Sequence, residues 1–334
     1  MKTSIIITSI NQPEHAVNKI AALALDKGWD FFLIGDRKGP ARFELDGCQL
    51  ITLEDQRALD FKLARTCPEG HYARKNIGYL LAIATGTERL YETDDDNIPY
   101  DTFWMPDSPD VAGGQICNSD TPVNAYQLFT SGRIWPRGYP LSDINASFEA
   151  KYLTVTGDST CPVWQGLANE NPDVDAIFRL TYPMPFSFEA RAPVALGKKA
   201  WCPFNSQNTT WFKSAFPLLY LPAYCSFRMT DIWRSFVAQR IMWANNWNLM
   251  FHEATVYQER NEHDLMRDFT DEIPGYRFNE RILELLDSAS MKAGAEHIPE
   301  NLRIAYGLLV EEGLVGAEEL PLLENWIEDL HQLG

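Results

Sequence analysis

Residues 73–97 read ARKNIGYLLAIATGTERLYETDDDN, and they place a helix, its stop, a strand and an acidic loop in that order. Apolar side chains at Ile77, Leu80, Leu81 and Ile83 predict a helix over Ala73–Ala84, which Thr85-Gly86 ends. Glu88–Glu92 then reads as a strand that delivers Asp94, Asp95 and Asp96 to its carboxyl end. Upstream the same alternation repeats. Ser4–Thr8 (SIIIT) is a short β-rich run, followed by a helical pattern through Ile20, Leu23 and Leu25 to Lys27-Gly28. Phe31–Ile34 (FFLI) is a second buried strand, and Gln49–Leu53 a short third. This order predicts an α/β fold with a mostly parallel central sheet covered by helices. Ligands of such sheets bind beyond the carboxyl ends of the strands. Asn11, Asp36 and Asp94–Asp96 all follow strand ends, so one crevice collects them.

Downstream the texture changes twice. Residues 101–275 are rich in Pro, Trp, Phe and Tyr, with Asp231–Trp243 the best helix. After Pro274-Gly275 come acidic amphipathic segments, Phe278–Met291 and Pro299–Leu330, which predict a helical appendage. The expected division is therefore a main domain over 1–275 and a C-terminal helical appendage over 276–334. The chain has 334 residues with 45% hydrophobic residues, enough for a large core. Its 29 basic and 46 acidic side chains give a net charge of −17, which argues against nucleic acid or an anionic membrane as the main partner. No stretch approaches the ~18 apolar residues of a membrane span, and the N-terminus reads as a strand rather than a secretory signal. A cytoplasmic protein without an integral membrane segment is expected. The six cysteines are scattered without a CxxC pair, the pattern of buried thiols rather than of a metal or disulfide framework.

Three adjacent carboxylates repel one another unless solvent or a cation compensates. Two readings of Asp94-Asp95-Asp96 stay open on the residues alone: a solvated acidic loop, or oxygen ligands for Mg²⁺ or Mn²⁺ bound together with substrate phosphates. Arg74, Lys75 and Asn76 open the preceding helix, where unpaired N–H groups and the helix dipole favour anions. With Arg37-Lys38 after the second strand, they concentrate cations at the same crevice. Asp173 and Asp175 alternate in Pro172-Asp173-Val174-Asp175, either a surface turn or a pair facing one side. Asp231 is placed to cap the following helix or to act as a general base, with Trp233 as a sugar-stacking plane. His263 is a candidate metal ligand, and His252 its competitor.

Together these runs resemble the STELLO family of glycosyltransferase-like proteins. The likeness is carried by RKNIGYL (74–80), YETDDDN (91–97), WQGLANENPDVDAIFRLT (164–181), FNSQNTTW (204–211), LYLPAYCSFRMTDIWRSFVAQR (219–240) and QERNEHDLMRDFTDEIP (258–274), in that order across roughly residues 1–275. A more distant likeness is to the reversibly glycosylated polypeptides, which are UDP-arabinopyranose mutases. The resemblance implies a GT-A fold and nucleotide-sugar chemistry. Thr8, Ser9, Asn11 and Asp36, with Arg37 beside them, would hold base and ribose. Asp94 to Asp96 would hold ribose and a Mn²⁺ or Mg²⁺ ion, with His263 as a further ligand. Arg74, Lys75 and Asn76 would contact the nucleotide or its phosphates. Asp231 would be the acceptor base, with Asp173 or Asp175 behind it. The function so implied is metal-dependent transfer of a sugar from a UDP-sugar to a glycan, glycolipid or other hydroxyl acceptor. The alternatives are a nucleotide-sugar mutase, which needs no external acceptor, and a non-catalytic scaffold.

Overall fold

A computed structural model describes residues 1–259 and 264–334. The N-terminal elements run β1 (Thr3–Thr8), α1 (His15–Lys27), β2 (Asp30–Ile34), β3 (Gln49–Ile51), α2 (Leu53–Ala58), α3 (Lys62–Thr66), α4 (Lys75–Ala84) and β4 (Arg89–Thr93). The aromatic middle adds β5 (Asn97–Pro99), β6 (Asp110–Asn118), α5 (Ile144–Ser147), β7 (Leu153–Thr160), β8 (Val163–Asn169), α6 (Ala176–Thr181), β9 (Val194–Leu196) and β10 (Asn208–Phe212). The remainder is α7 (Thr230–Ala244), β11 (Leu249–Gln258), α8 (Leu265–Ser288), α9 (Ile298–Glu311) and α10 (Glu319–Leu333).

All these strands join one sheet, ordered β3-β2-β1-β4-β10-β8-β11-β9-β6-β7, with β5 on β11. Strands β3, β2, β1 and β4 are mutually parallel. Beyond them the expected parallel order holds only in part, for β8 with β11 and β6 with β9. Strand β10 lies antiparallel between β4 and β8, and β9, β5 and β7 also pair antiparallel to a neighbour, so the sheet is mixed. The half that reads clearly in sequence is the half covered on both faces. Ile6 packs into the main core with α4 and α7, whereas Ile5 and Ile7 pack against α1. Both faces being apolar explains the unbroken isoleucine run. Gly78 lets α4 lie flat on this sheet, since a Cβ there would stand 2.7 Å from Ile34 and 2.8 Å from Ile6.

The break expected at Pro274-Gly275 is not an element boundary. Helix α8 runs through both residues, and Gly275 is where it meets the segment before α7: a Cβ there would fall 2.2 Å from Met229 Sδ. Ile282, Tyr306 and Trp326 of the C-terminal helices share one hydrophobic cluster with Phe236 and Leu90. Buried Asp329 also accepts the N–H groups of Lys62 and Leu63, both at 2.8 Å. No helix among the described residues is long and apolar enough to cross a membrane.

The strand directions decide where a ligand can go. Strands β1, β2, β4, β8 and β11 all end at one edge of the sheet, and β10 begins there. That edge opens into a cleft of about 780 Å³.

Candidate functional site

The cleft is lined on one side by Thr8, Ser9, Asn11, Asp36, Arg37, Arg74 and Asp94–Asp96, and on the other by Arg137, Asp173, Ser206, Phe227, Arg228 and Asp231. Most of the predicted binding residues therefore meet in one place. Each is held by a distinct arrangement.

Asp95 ties the ends of β1 and β4 together: it accepts from Ser9 Oγ and from Asn11 Nδ2, the latter at 3.2 Å. Asp36 accepts the backbone N–H groups of Arg37, Gly70 and His71 at 2.7, 2.8 and 3.0 Å, so it anchors the loop that leads into α4. Arg37 pairs with Glu69 at 2.9 Å, and Arg57 pairs with the same carboxylate. Hydrogen bonds from Arg57 and Arg37 hold Glu69 down to about 2.

Asp94 accepts from Tyr72 Oη at 3.1 Å and stands 3.4 Å from Lys75 Nζ. Asp96 accepts from Gln258 Nε2 at 3.0 Å on both oxygens. Burial pushes Asp94 up to about 6 against the pull of Lys75. Asp96 is pushed up to about 7 by burial and by the charge of Asp94. Two carboxylates resisting ionisation side by side are a cation-seeking pair. Among the described residues, however, no three His, Cys, Asp or Glu side chains are grouped to hold a metal ion. His263, the expected third ligand, lies outside the described residues. His252 is buried between Trp104 and Trp164, with ring centroids 4.5 and 6.2 Å away, and burial lowers it to about 4. It does not line the cleft.

Three other expectations need correction. Lys75 is fully buried beneath the cleft, donating to Thr93 O at 2.8 Å and Tyr72 Oη at 2.9 Å, so it supports the triplet from below. Asn76 spends both amide atoms on the backbone of Leu221, each at 2.8 Å, and anchors that loop instead of facing a ligand. Asp175 caps α6 through the N–H of Phe178 at 2.7 Å and accepts from Trp135 Nε1 at 2.7 Å. Burial pushes it up to about 7, and it does not line the cleft.

Asp231 has the reverse history. It sits inside the first turn of α7 rather than capping it, and its carboxylate turns to the cleft, where Arg137 and the Ser206 N–H reach it. Trp233 is 1% exposed and bonded to Asn279, so it offers no plane to a sugar. Asp173 also faces the cleft, gripped by Arg137 at 2.8 Å through two nitrogens. Burial acts to raise Asp173, but the Arg137 guanidinium outweighs it and holds the carboxyl below its usual range.

Sequence reasoning missed Arg137, Tyr72 and Ser206. Tyr72 Oη bonds Ser206 Oγ as well as Asp94, and the Ser206 N–H reaches Asp231 at 3.3 Å, so a polar chain crosses the cleft floor. The signal for Ser206 was present in the FNSQNTTW run, and that for Tyr72 in its position two residues before Arg74.

A family model described as STELLO glycosyltransferases matches residues 228–334. Two proteins of Arabidopsis thaliana match almost the whole chain. "Probable glycosyltransferase STELLO2" is 25% identical over 347 residues, covering 98% of this chain and 45% of that protein. The chain is similar to the STELLO glycosyltransferases along nearly its whole length. "Probable glycosyltransferase STELLO1" is likewise 25% identical over 356 residues, covering 98% of this chain and 44% of its own length. The chain thus spans less than half the length of these two proteins. The likeness also extends past residue 275 into the C-terminal helices, which the motif runs had left out. Among solved structures, "Crystal Structure of A197 from STIV" aligns over 77% of this chain and 83% of that one, at 10% identity and a TM-score of 0.33, a likeness too slight to carry an argument.

Proposed function

We propose that this chain is a GT-A-type glycosyltransferase that takes a UDP-sugar and a divalent cation and transfers the sugar to a hydroxyl acceptor. The observation that carries this reading is the single cleft at the strand ends, in which Asp94 and Asp96 share a cavity with Asp231. The donor set fits Mg²⁺ or Mn²⁺. Two neighbouring carboxylates with raised pKa values lose their mutual repulsion when a hard cation binds, and such ions take their other ligands from phosphates and water. Bound there, the ion supplies charge stabilisation for a leaving diphosphate.

The chain's own residues do the rest. Ser9, Asn11 and Asp95 shape the nucleotide end of the cleft, and Asp36 holds the Gly70-His71 loop beside it. Arg74 faces the cleft almost fully buried, fixed by Gln56 at 2.7 Å and Cys67 O at 2.9 Å. Its Nη2 is buried and has no hydrogen-bond partner among the described residues. In the transfer, the acceptor oxygen bonds to the anomeric carbon and the bond from that carbon to the diphosphate oxygen breaks. The hydroxyl proton passes to Asp231, and the leaving UDP keeps the electron pair.

Calorimetric titration with UDP tests the donor site. Binding that requires Mg²⁺ or Mn²⁺ and is lost in Asp94→Asn/Asp96→Asn supports it. Binding that ignores both EDTA and the substitutions, or no nucleotide binding at all, overturns it. If UDP binds but a UDP-sugar is interconverted without any acceptor, the mutase alternative replaces transfer.

A further inference from the structure

The side of the cleft away from the triplet presents one exposed aromatic ring, Phe227, among several guanidinium groups. Trp233, which sequence suggested as a sugar-stacking plane, lies in the core at 1% exposed, and Trp135, Trp164 and Trp201 are at most 7% exposed. Beside Arg137, whose N–H groups are taken by Asp173, Asp231 and the Arg228 carbonyl, Arg179, Arg228 and Arg267 line that side, three guanidinia from three separate segments of a chain whose net charge is −17. Among the described residues, the carboxylates lining the same side are Asp173 and Asp231, and both already bind Arg137. Arg228 is held from behind by fully buried Glu272 at 2.8 Å, which fixes its guanidinium at the wall. Arg267 stands at the rim with its side chain 81% exposed, 3.9 Å from Asp271. Arg179 is braced by Pro172 O at 2.8 Å. Arg228 and Arg179 are near enough to act on Asp173 electrostatically, so these charges face one space.

We propose that this arginine wall binds an anionic group, a phosphate or a carboxylate, carried by the hydroxyl acceptor. The inference rests on the transferase reading of the cleft and adds the chemical class of its second substrate. Planar, rigid guanidinia recognise both anions through paired hydrogen bonds. The donor's own diphosphate belongs on the opposite side, with Asp94 to Asp96, Arg37 and Arg74. The arginine wall is therefore a second anion site.

The test uses the full chain saturated with UDP and Mg²⁺ and titrated calorimetrically, at constant ionic strength, with glycerol 1-phosphate, glycerate and glycerol. The expected result is that at least one anion binds about tenfold or more tightly than glycerol, the scale of one or two charge-assisted hydrogen bonds. The phosphate and glycerate arms tell which anion is preferred. Arg228→Gln and Arg267→Gln should each weaken that binding about tenfold while UDP affinity stays. Because Arg228→Gln leaves buried Glu272 unpaired and can cost folding, the exposed Arg267→Gln keeps the test decisive. The proposal is overturned if neither anion outbinds glycerol, or if UDP and the anion displace each other. Should UDP itself not bind, the same titrations on the UDP-free chain decide: arginine-dependent anion binding supports the wall, and its absence overturns it.

Discussion

Arg137 Nη2 donates to both carboxylate oxygens of Asp231, at 3.1 and 3.0 Å, and also to Asp173 at 2.8 Å. One guanidinium therefore holds two carboxylates on the side of the cleft away from the triplet. Removing one member of a buried charged set leaves the others uncompensated, whereas neutralising the set together does not. Arg137→Leu is expected to lower the unfolding free energy by about 3–5 kcal/mol, measured by urea denaturation. Adding Asp173→Asn and Asp231→Asn to Arg137→Leu should recover more than half of that loss. An equal loss in the single and triple variants would show that packing, not charge, dominates at Arg137.

A second buried ion pair connects the strand that carries the triplet to the helix that carries Asp231. Arg234 on α7 donates to Glu92 on β4 at 2.8 and 3.0 Å, and Glu92 also accepts from Trp211 at 2.8 Å and from Tyr79. Glu92 is 0% and Arg234 1% exposed. Arg234→Met alone should cost about 3–5 kcal/mol by chemical denaturation, and Glu92→Met/Arg234→Met distinctly less. The pair joins the strand and the helix that bear on the two walls of the cleft, so on the proposed reading of the cleft the double variant should fold yet bind UDP more weakly. Unchanged UDP affinity in the folded double variant would mean that other contacts fix the spacing.

The sequence was legible where one residue could report its own surroundings. Strands β1, β2 and β4 announce themselves because apolar side chains cover both faces of that part of the sheet. Strand β10 does not. Its Asn208, Thr209 and Thr210 are at most 2% exposed but polar, and Asn208 donates to Leu167 O and Thr209 to Gln165 Oε1 across the sheet. Such partners are distant in sequence, so nothing local marks the segment as a central strand. The same holds for Arg137, whose partner Asp231 is 94 residues away. Asp175 and Asp231 illustrate a subtler failure. Both stand at the start of a helix, but Asp175 occupies the cap position and bonds the Phe178 N–H, whereas Asp231 lies one step inside its helix and turns to Arg137 at the cleft. Pro274-Gly275 reads as a break, yet the glycine serves a close helix contact.

His252 gives a pH dependence whose sign can be worked out. Burial lowers it to about 4, so the folded chain keeps it neutral while the unfolded chain takes up a proton near 6.5. Between those values the unfolded state binds more protons, and stability falls as pH drops through that window. At pH 5 the loss is about 2 kcal/mol relative to pH 7.5. Comparing urea denaturation of the wild type and His252→Phe at both pH values isolates it: the variant should lose about 2 kcal/mol less on acidification. Equal acid losses would show that His252 is already protonated in the fold.

Asp94 and Asp96 act in the opposite direction. Their carboxyls are raised to about 6 and about 7, above the usual carboxylate range, so between that range and pH 7 the folded chain binds more protons than the unfolded one. In the metal-free protein their contribution to stability is therefore present at low pH and lost as pH rises toward 7. A divalent cation needs both groups ionised, so its affinity should climb through pH 6–7 and level off above. Thermal unfolding with and without millimolar MgCl₂ checks this. The Tm increase at pH 8 should exceed that at pH 5.5, and Asp94→Asn/Asp96→Asn should abolish it at both. A Mg²⁺-induced shift equal at the two pH values, or retained in the double variant, would place the bound cation somewhere other than between these carboxylates.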